Sequence, residues 1–219
     1  MHTKSIAAGG RKGRVWTVTP RGPHRKSESI PLLKIIRDNL GLAEKGREAR
    51  RIIASGAAEV DGTTCRDPNR GVGLMDTVCL PKMKKSYRIV PYKHGLTLKE
   101  ITEKDSKIKL CRINHKTVIS KGRLQLNLHD GTNMITDQKA KVNDTVVVAL
   151  PSRKIKEIIP YETGNRAVIV RGRHRGEKGV INDVTPGTIA RKSLTTMGDI
   201  HTLTDYIFVT GKDKPVIEV

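Results

Sequence analysis

One Phe, one Trp and four Tyr among 219 residues leave the chain short of the side chains that fill a large core. Aromatic rings bury roughly 150–250 Å² each and dominate core energetics, so a protein this poor in them divides its burial among small units. Val, Ile and Leu supply most of the apolar content, and β-branched side chains pack well on pleated surfaces. The expected fold class is α+β, β-rich and multidomain. The length fits one or two ordinary domains or three small ones, rather than one deep fold around a substrate pocket.

Forty-two Lys and Arg stand against 22 acidic residues, a formal charge of +20. Solubility asks for far less, roughly 2–8 charges on a small domain, so the surplus points to a polyanionic partner. Cys65, Cys79 and Cys111 are far apart and form no C-x-x-C pair, which supports neither a disulfide framework nor a zinc ribbon. A reducing cytosol is the expected compartment. No apolar run reaches the length of a membrane span or a secretory leader, and no basic amphipathic helix with aromatic anchors is visible, so no membrane partner is expected.

Residues 1–26 hold Lys4, Arg11, Lys12, Arg14, Arg21, Arg25 and Lys26 and no acidic residue, an extended basic arm that serves either as a polyanion contact or as a solvated tail. Trp16 within it is suited to stack on a base or, more commonly, to dock the arm on its own protein. From Ser29 onward Ile30, Leu32, Leu33, Ile36 and Leu40 recur at helical spacing, with Pro31 in the first turn and Gly41 as the stop. A second helix is expected over residues 45–55, closed by Gly56. Asp61-Gly62 between short extended segments signals a hairpin, because a type I′ turn needs positive φ at both positions. Residues 74–80 and 87–90 read as further strands.

Beyond Pro91 the period approaches two. Residues 107–113, 123–128 and 144–150 are strand candidates, with turns at 129–131 and 143–144, while 98–104 reads as a short helical turn. In the last third, a strand from residue 165 leads into a loop of Gly172, Arg173, His174, Arg175, Gly176, Glu177, Lys178 and Gly179. Strands at 200–203 and 206–209 follow, and such short segments with Gly-rich turns suggest a small barrel. The resulting division is an arm (1–26), an αα-β unit (27–90), a central all-β unit (91–159) and a barrel (160–219).

Two further places concentrate charge. On the second helix, 100° per residue puts Ala49, Ile52 and Ile53 on one face and Arg47, Arg50 and Arg51 on the opposite one. Guanidinium forks match phosphate oxygens bidentately, so this stripe reads as neighbouring RNA phosphate contacts, or else as a solvated face paired with Glu44 and Glu48. Arg171, Arg173, His174, Arg175 and Lys178 likewise read as a basic hairpin tip against RNA, or as a turn that needs glycine for its backbone and charge for solubility. A strand rather than a helix follows Gly179, so the loop is not a nucleotide-binding P-loop. The seven histidines are scattered and no nucleophile signature appears, so no metal, cofactor, small-molecule substrate or catalytic residue is expected.

The runs Gly22-Pro23-His24-Arg25-Lys26, Ser29-Ile30-Pro31-Leu32-Leu33, Gly46-Arg47-Glu48-Ala49-Arg50-Arg51-Ile52-Ile53, Val60-Asp61-Gly62, Gly73-Leu74-Met75-Asp76-Thr77-Val78, Val142-Asn143-Asp144-Thr145 and Phe208 through Pro215 resemble the e-type S-four (S-four-e) family of small-subunit ribosomal proteins over nearly the whole chain. The lack of a basic tail after Val219 makes the resemblance archaeal-like. It implies an S-four-type RNA-binding domain over residues 27–90, with Gly56, Val60 and Gly62 at its helix-to-hairpin positions and Asp61 where many relatives outside this family have Asn. It further implies a central module particular to the family and a KOW motif on an SH3-like barrel over 160–219, with Gly172, Gly176 and Gly179 in its loop. The implied role is a structural ribosomal protein that binds small-subunit rRNA beside neighbouring ribosomal proteins, in the cytoplasm on the ribosome. The alternatives are an RNA-modifying enzyme, which would need a further catalytic domain, and a transcription or translation factor using the same modules.

Overall fold

The computed structural model describes residues 18–119, 122–188 and 191–218. Lys4, Arg11, Lys12, Arg14 and Trp16 lie outside the described residues. The chain forms two compact units, residues 1–109 with 149–154 and residues 110–148 with 155–219.

In the first unit, the helical spacing read from Ser29 begins only at Leu32. Ser29, Ile30 and Pro31 form β1 (Ser29–Pro31), antiparallel to β4 (Gly71–Gly73). All three β1 residues are buried, because a tertiary ladder overrides the local periodicity that includes Ile30. Helix α1 (Leu32–Lys34) then runs into a π-helical turn over Ile35–Asn39. Helix α2 (Gly46–Ala54) stands where a second helix was expected, with Ala49 and Ile53 buried. It ends at Gly56, whose φ of 77° is the left-handed geometry that glycine adopts without penalty after a helix.

β2 (Glu59–Val60) and β3 (Thr63–Thr64) follow, joined by Asp61 and Gly62 at φ 52° and 71°, the positive pair that a type I′ hairpin requires. With β5 (Thr77–Leu80), β6 (Lys85–Tyr92) and β7 (Gly95–Ile101) they make a sheet of order β3-β2-β5-β6-β7. The strand expected from residue 74 starts at Thr77, because Leu74 and Met75 turn, with Met75 at φ 66°.

The helical turn expected at 98–104 is instead mostly strand. β7 pairs with β6 from Ser86↔Ile101 to Tyr92↔Gly95, and only α3 (Glu103–Ser106) is helical, with the Thr102 hydroxyl accepting the Asp105 N–H at 3.2 Å. This hairpin runs through residues 90 and 91. Ile30, Leu32, Ile35, Ile36, Ile53, Val72, Val78 and Ile89 form the core between the helices and the sheet.

The second unit contains two five-stranded sheets. The first has order β10-β9-β8-β11-β12, from β8 (Ile108–Val118), β9 (Leu124–Leu128), β10 (Asn133–Thr136), β11 (Thr145–Ala149) and β12 (Lys154–Ile159). The other has order β16-β15-β14-β13-β17, from β13 (Arg166–Ile169), β14 (Lys178–Thr185), β15 (Leu194–Met197), β16 (Ile200–Leu203) and β17 (Ile207–Gly211). β10, β12 and β15 escape a reading by pattern because they are short or, like β12 with Lys154, Lys156 and Glu157, charged on an exposed edge. Arg112 fastens the two sheets, its Nη1 donating to the carbonyls of Asp205 at 2.6 Å and Ile207 at 3.2 Å. The His129 ring meets Phe208 edge-on at 5.2 Å.

Ile53 is fully buried where α2 meets the core. Ile53→Ala is expected to lower the stability of the first unit by about 2–5 kcal/mol through reduced burial and a residual cavity, read as a lower urea midpoint.

Candidate nucleic-acid interface

The arginine stripe is placed by the burial of its opposite face. With Ala49 and Ile53 against the core, Arg47, Arg50 and Arg51 are all exposed. Glu48 is turned away from them, its carboxylate accepting the backbone N–H groups of Glu44 at 3.1 Å and Lys45 at 3.3 Å. This satisfies the N–H of Lys45, which a helix start leaves without a partner, and that of Glu44 just before it. Among the described residues none of the three guanidinium groups is held in an ion pair. In this arrangement neither Glu44 nor Glu48 forms an ion pair with the stripe.

The basic loop of the second unit is less uniform. Arg173 and Lys178 are exposed, Arg171 and Arg175 are half-buried, and His174 Nδ1 lies 2.9 Å from the Glu177 carboxylate. Gly172 and Gly176 hold φ of 86° and 90°, and a Cβ on Gly172 would press on the Tyr206 ring. Gly179 is already within β14, where its missing side chain admits the Met197 methyl.

Arg21, Arg25 and Lys26 are exposed on a strap over β4. The Arg21 N–H donates to the Asn69 carbonyl and the Arg21 carbonyl accepts the Gly71 N–H, both at 2.7 Å.

Under the Asp61–Gly62 turn lies a charged cluster that periodicity does not disclose. Lys109 Nζ sits 2.7 Å from Asp61 Oδ2 and 2.6 Å from Asp76 Oδ1, with all three side chains nearly inaccessible. Asp76 Oδ2 accepts the Gly73 N–H at 2.9 Å and meets His24 Nε2 at 2.8 Å. Asp61 Oδ1 accepts the Thr77 N–H at 3.0 Å. Burial and the neighbouring Asp76 charge push the Asp61 carboxyl up, against the pull of Lys109. Burial also works to raise Asp76, but Lys109 and His24 outweigh it and hold its carboxyl well below the usual range.

Arg88, fully buried, donates through Nη2 to the carbonyls of Asp105 and Ile108, both at 2.6 Å. Burial brings its guanidinium down to about 10, against the opposing charges of Asp105 and Asp61, which leaves it a cation at neutral pH. The legible signal for this cluster is a Lys or Arg at inward-facing positions of otherwise apolar strands.

A cleft of about 600 Å³ in the first unit mixes Lys84, Lys85 and Lys107 with Glu59 and Glu103. No group of three or more His, Cys, Asp or Glu that could hold a metal ion occurs among the described residues, and all three cysteines are free thiols.

A family model described as ribosomal family S4e matches residues 83–155. The small ribosomal subunit protein eS4 of Methanothermobacter thermautotrophicus is 42% identical, over 93% of this chain and 87% of its own length. Its counterpart from Archaeoglobus fulgidus is 41% identical, over 95% and 92%. A crystal structure of the 30S ribosomal protein S4e from Thermoplasma acidophilum superposes with a TM-score of 0.76 at 37% identity, covering 84% of this chain and 96% of that one.

The raised Asp61 carboxyl has a signed consequence for stability. Because the folded state binds this proton more tightly than the unfolded chain, its contribution is present below the ordinary carboxylate range and lost as pH rises through that range to the raised value. Asp61→Asn, which retains an acceptor for the Thr77 N–H, removes that dependence. The stability of the variant minus that of the parent is expected to climb from about pH 4 upward, by at most about 1.4 kcal/mol per pH unit, in urea titrations at successive pH values.

Proposed function

The chain belongs to ribosomal family S4e, and we propose that it is a structural constituent of the small ribosomal subunit that binds and stabilises folded ribosomal RNA through its phosphate backbone. The observation that carries this reading is the row of Arg47, Arg50 and Arg51, exposed and free of ion pairs among the described residues, on a helix whose other face is buried. A second basic surface is the 171–178 loop, where Arg173 and Lys178 are the most open donors. The arm residues Lys4, Arg11, Lys12 and Arg14 extend the same chemistry beyond the described residues.

In this reading residues 27–90 act as an S-four-type RNA-binding module, 91–159 as a central β module joined to it through the β6–β7 hairpin, and 160–219 as a KOW module on an SH3-like barrel. The strand order β16-β15-β14-β13-β17 suits a small half-open barrel, and Gly172 and Gly176 give its loop the required turn. Its partners are small-subunit rRNA and neighbouring ribosomal proteins, in the cytoplasm on the ribosome. It takes no cofactor or small-molecule substrate and catalyses no reaction. No helix among the described residues is long and apolar enough to cross a membrane. With one Phe and one Trp in the chain, base stacking is scarce, and recognition rests on RNA shape and backbone.

Reversing Arg47, Arg50 and Arg51 to Glu tests the reading. Incorporation into small subunits, followed by sedimentation through a high-salt wash, is expected to fall. The slope of log affinity for rRNA against log salt is expected to shrink by roughly 0.7–0.9 for each phosphate no longer neutralised. Unchanged incorporation and affinity would remove the helix from the interface.

A further inference from the structure

The strap over residues 20–26 is seated by a cradle whose parts are far apart in sequence. Gly71 and Gly73 of β4 have no room for a side chain: a Cβ on Gly71 would meet Ser29 Oγ at 2.9 Å and Pro20 Cβ at 3.1 Å, and one on Gly73 would collide with the His24 ring. The imidazole therefore lies directly on the Gly73 backbone while its Nε2 reaches the buried Asp76 carboxylate at 2.8 Å. Arg21 bridges to Arg70 at one end. At the other, Ser29 Oγ donates to the Arg25 carbonyl at 3.1 Å, and the Glu28 N–H does so at 2.9 Å.

With its inner side so fastened, the strap turns Arg21, Arg25 and Lys26 outward beside the half-buried Arg70. We propose that His24 is a positioning residue: latched to Asp76 and seated on Gly73, it holds Arg21, Arg25 and Lys26 as one fixed strip of phosphate donors for the RNA. This rests on the RNA-binding reading above and adds to it the latch on which the strip depends. Long cationic side chains on a loose segment must be ordered when they bind, whereas a fastened strip offers the same donors with that ordering already done.

The test measures the affinity of the full chain for purified archaeal small-subunit rRNA over a range of salt. His24→Ala is expected to lower affinity at every salt concentration, since the three side chains must then be ordered on contact. The loss is expected to be no more than that of the combined Arg21→Ala, Arg25→Ala and Lys26→Ala change, which also reduces the salt slope by roughly 0.7–0.9 for each phosphate released. Added to that triple change, His24→Ala should weaken binding no further, while added to Arg47→Ala, Arg50→Ala and Arg51→Ala its effect should appear in full. His24→Gln, which places an amide N–H near the position of Nε2, should restore binding. Gly73→Ala, which unseats the ring and leaves every charge in place, should reproduce the weakening seen in His24→Ala.

An unchanged affinity in His24→Ala, a weakening of equal size with or without the three basic side chains, or failure of Gln to restore binding would overturn the latch while leaving the RNA-binding reading intact. A parent chain whose affinity ignores salt would overturn that reading itself.

Discussion

The ammonium of Lys109, shut away from water between Asp61 and Asp76, holds together parts of the first unit that the sequence sets far apart. Taking an ion out of water costs several kcal/mol even after relaxation, so each member of the cluster is tolerable only while the others are in place. Asp61 comes from a hairpin turn, Asp76 from the turn before β5, Lys109 from the start of β8 and His24 from the strap. A slip of any one segment strands a buried charge, which makes the cluster a device of register more than of net stability. Arg88 extends the same logic by gripping two carbonyls around α3.

Basic residues in this chain therefore do two opposite jobs. Lys109, Arg88 and Arg112 are interior and direct their donors to carboxylates or carbonyls of the chain itself. Arg47, Arg50, Arg51, Arg173 and Lys178 lie on the surface, open to water and counterions. Release of the counterions condensed on a nucleic-acid backbone supplies most of the drive for binding it. A formal charge of +20 counts both populations alike, and only their placement tells which are available to a partner.

Much of this was legible from the residues. The amphipathic α2, the Asp61–Gly62 hairpin and the β-rich character follow from periodicity and turn chemistry, which are local. The family was legible because its motifs are runs of adjacent residues. Other features were decided by pairing across the fold: Ser29 to Pro31 became strand because β4 was there to receive them, and residues 98–101 became strand because β6 was. The Lys109 cluster was only half legible: a lysine among the apolar residues of a strand hints at burial, but nothing near it in the chain points to Asp61 and Asp76 as its partners. Gly71 and Gly73 likewise look like ordinary turn glycines until Pro20 and His24 are seen pressed against them.

The chain leaves the first unit after Lys109 and comes back for residues 149–154. On that return Leu150 is buried, its N–H bonds the Lys107 carbonyl at 2.8 Å, and Pro151 packs where Gly62 has no side chain. For a protein made from its N-terminus this sets an order of events. The first unit cannot finish closing over its hairpin until the six residues 149–154 have left the synthesis machinery, so most of the second unit's first sheet must be made before the first unit is complete. Each unit is built from two separate stretches of chain, so neither could be excised or exchanged as a contiguous stretch of gene.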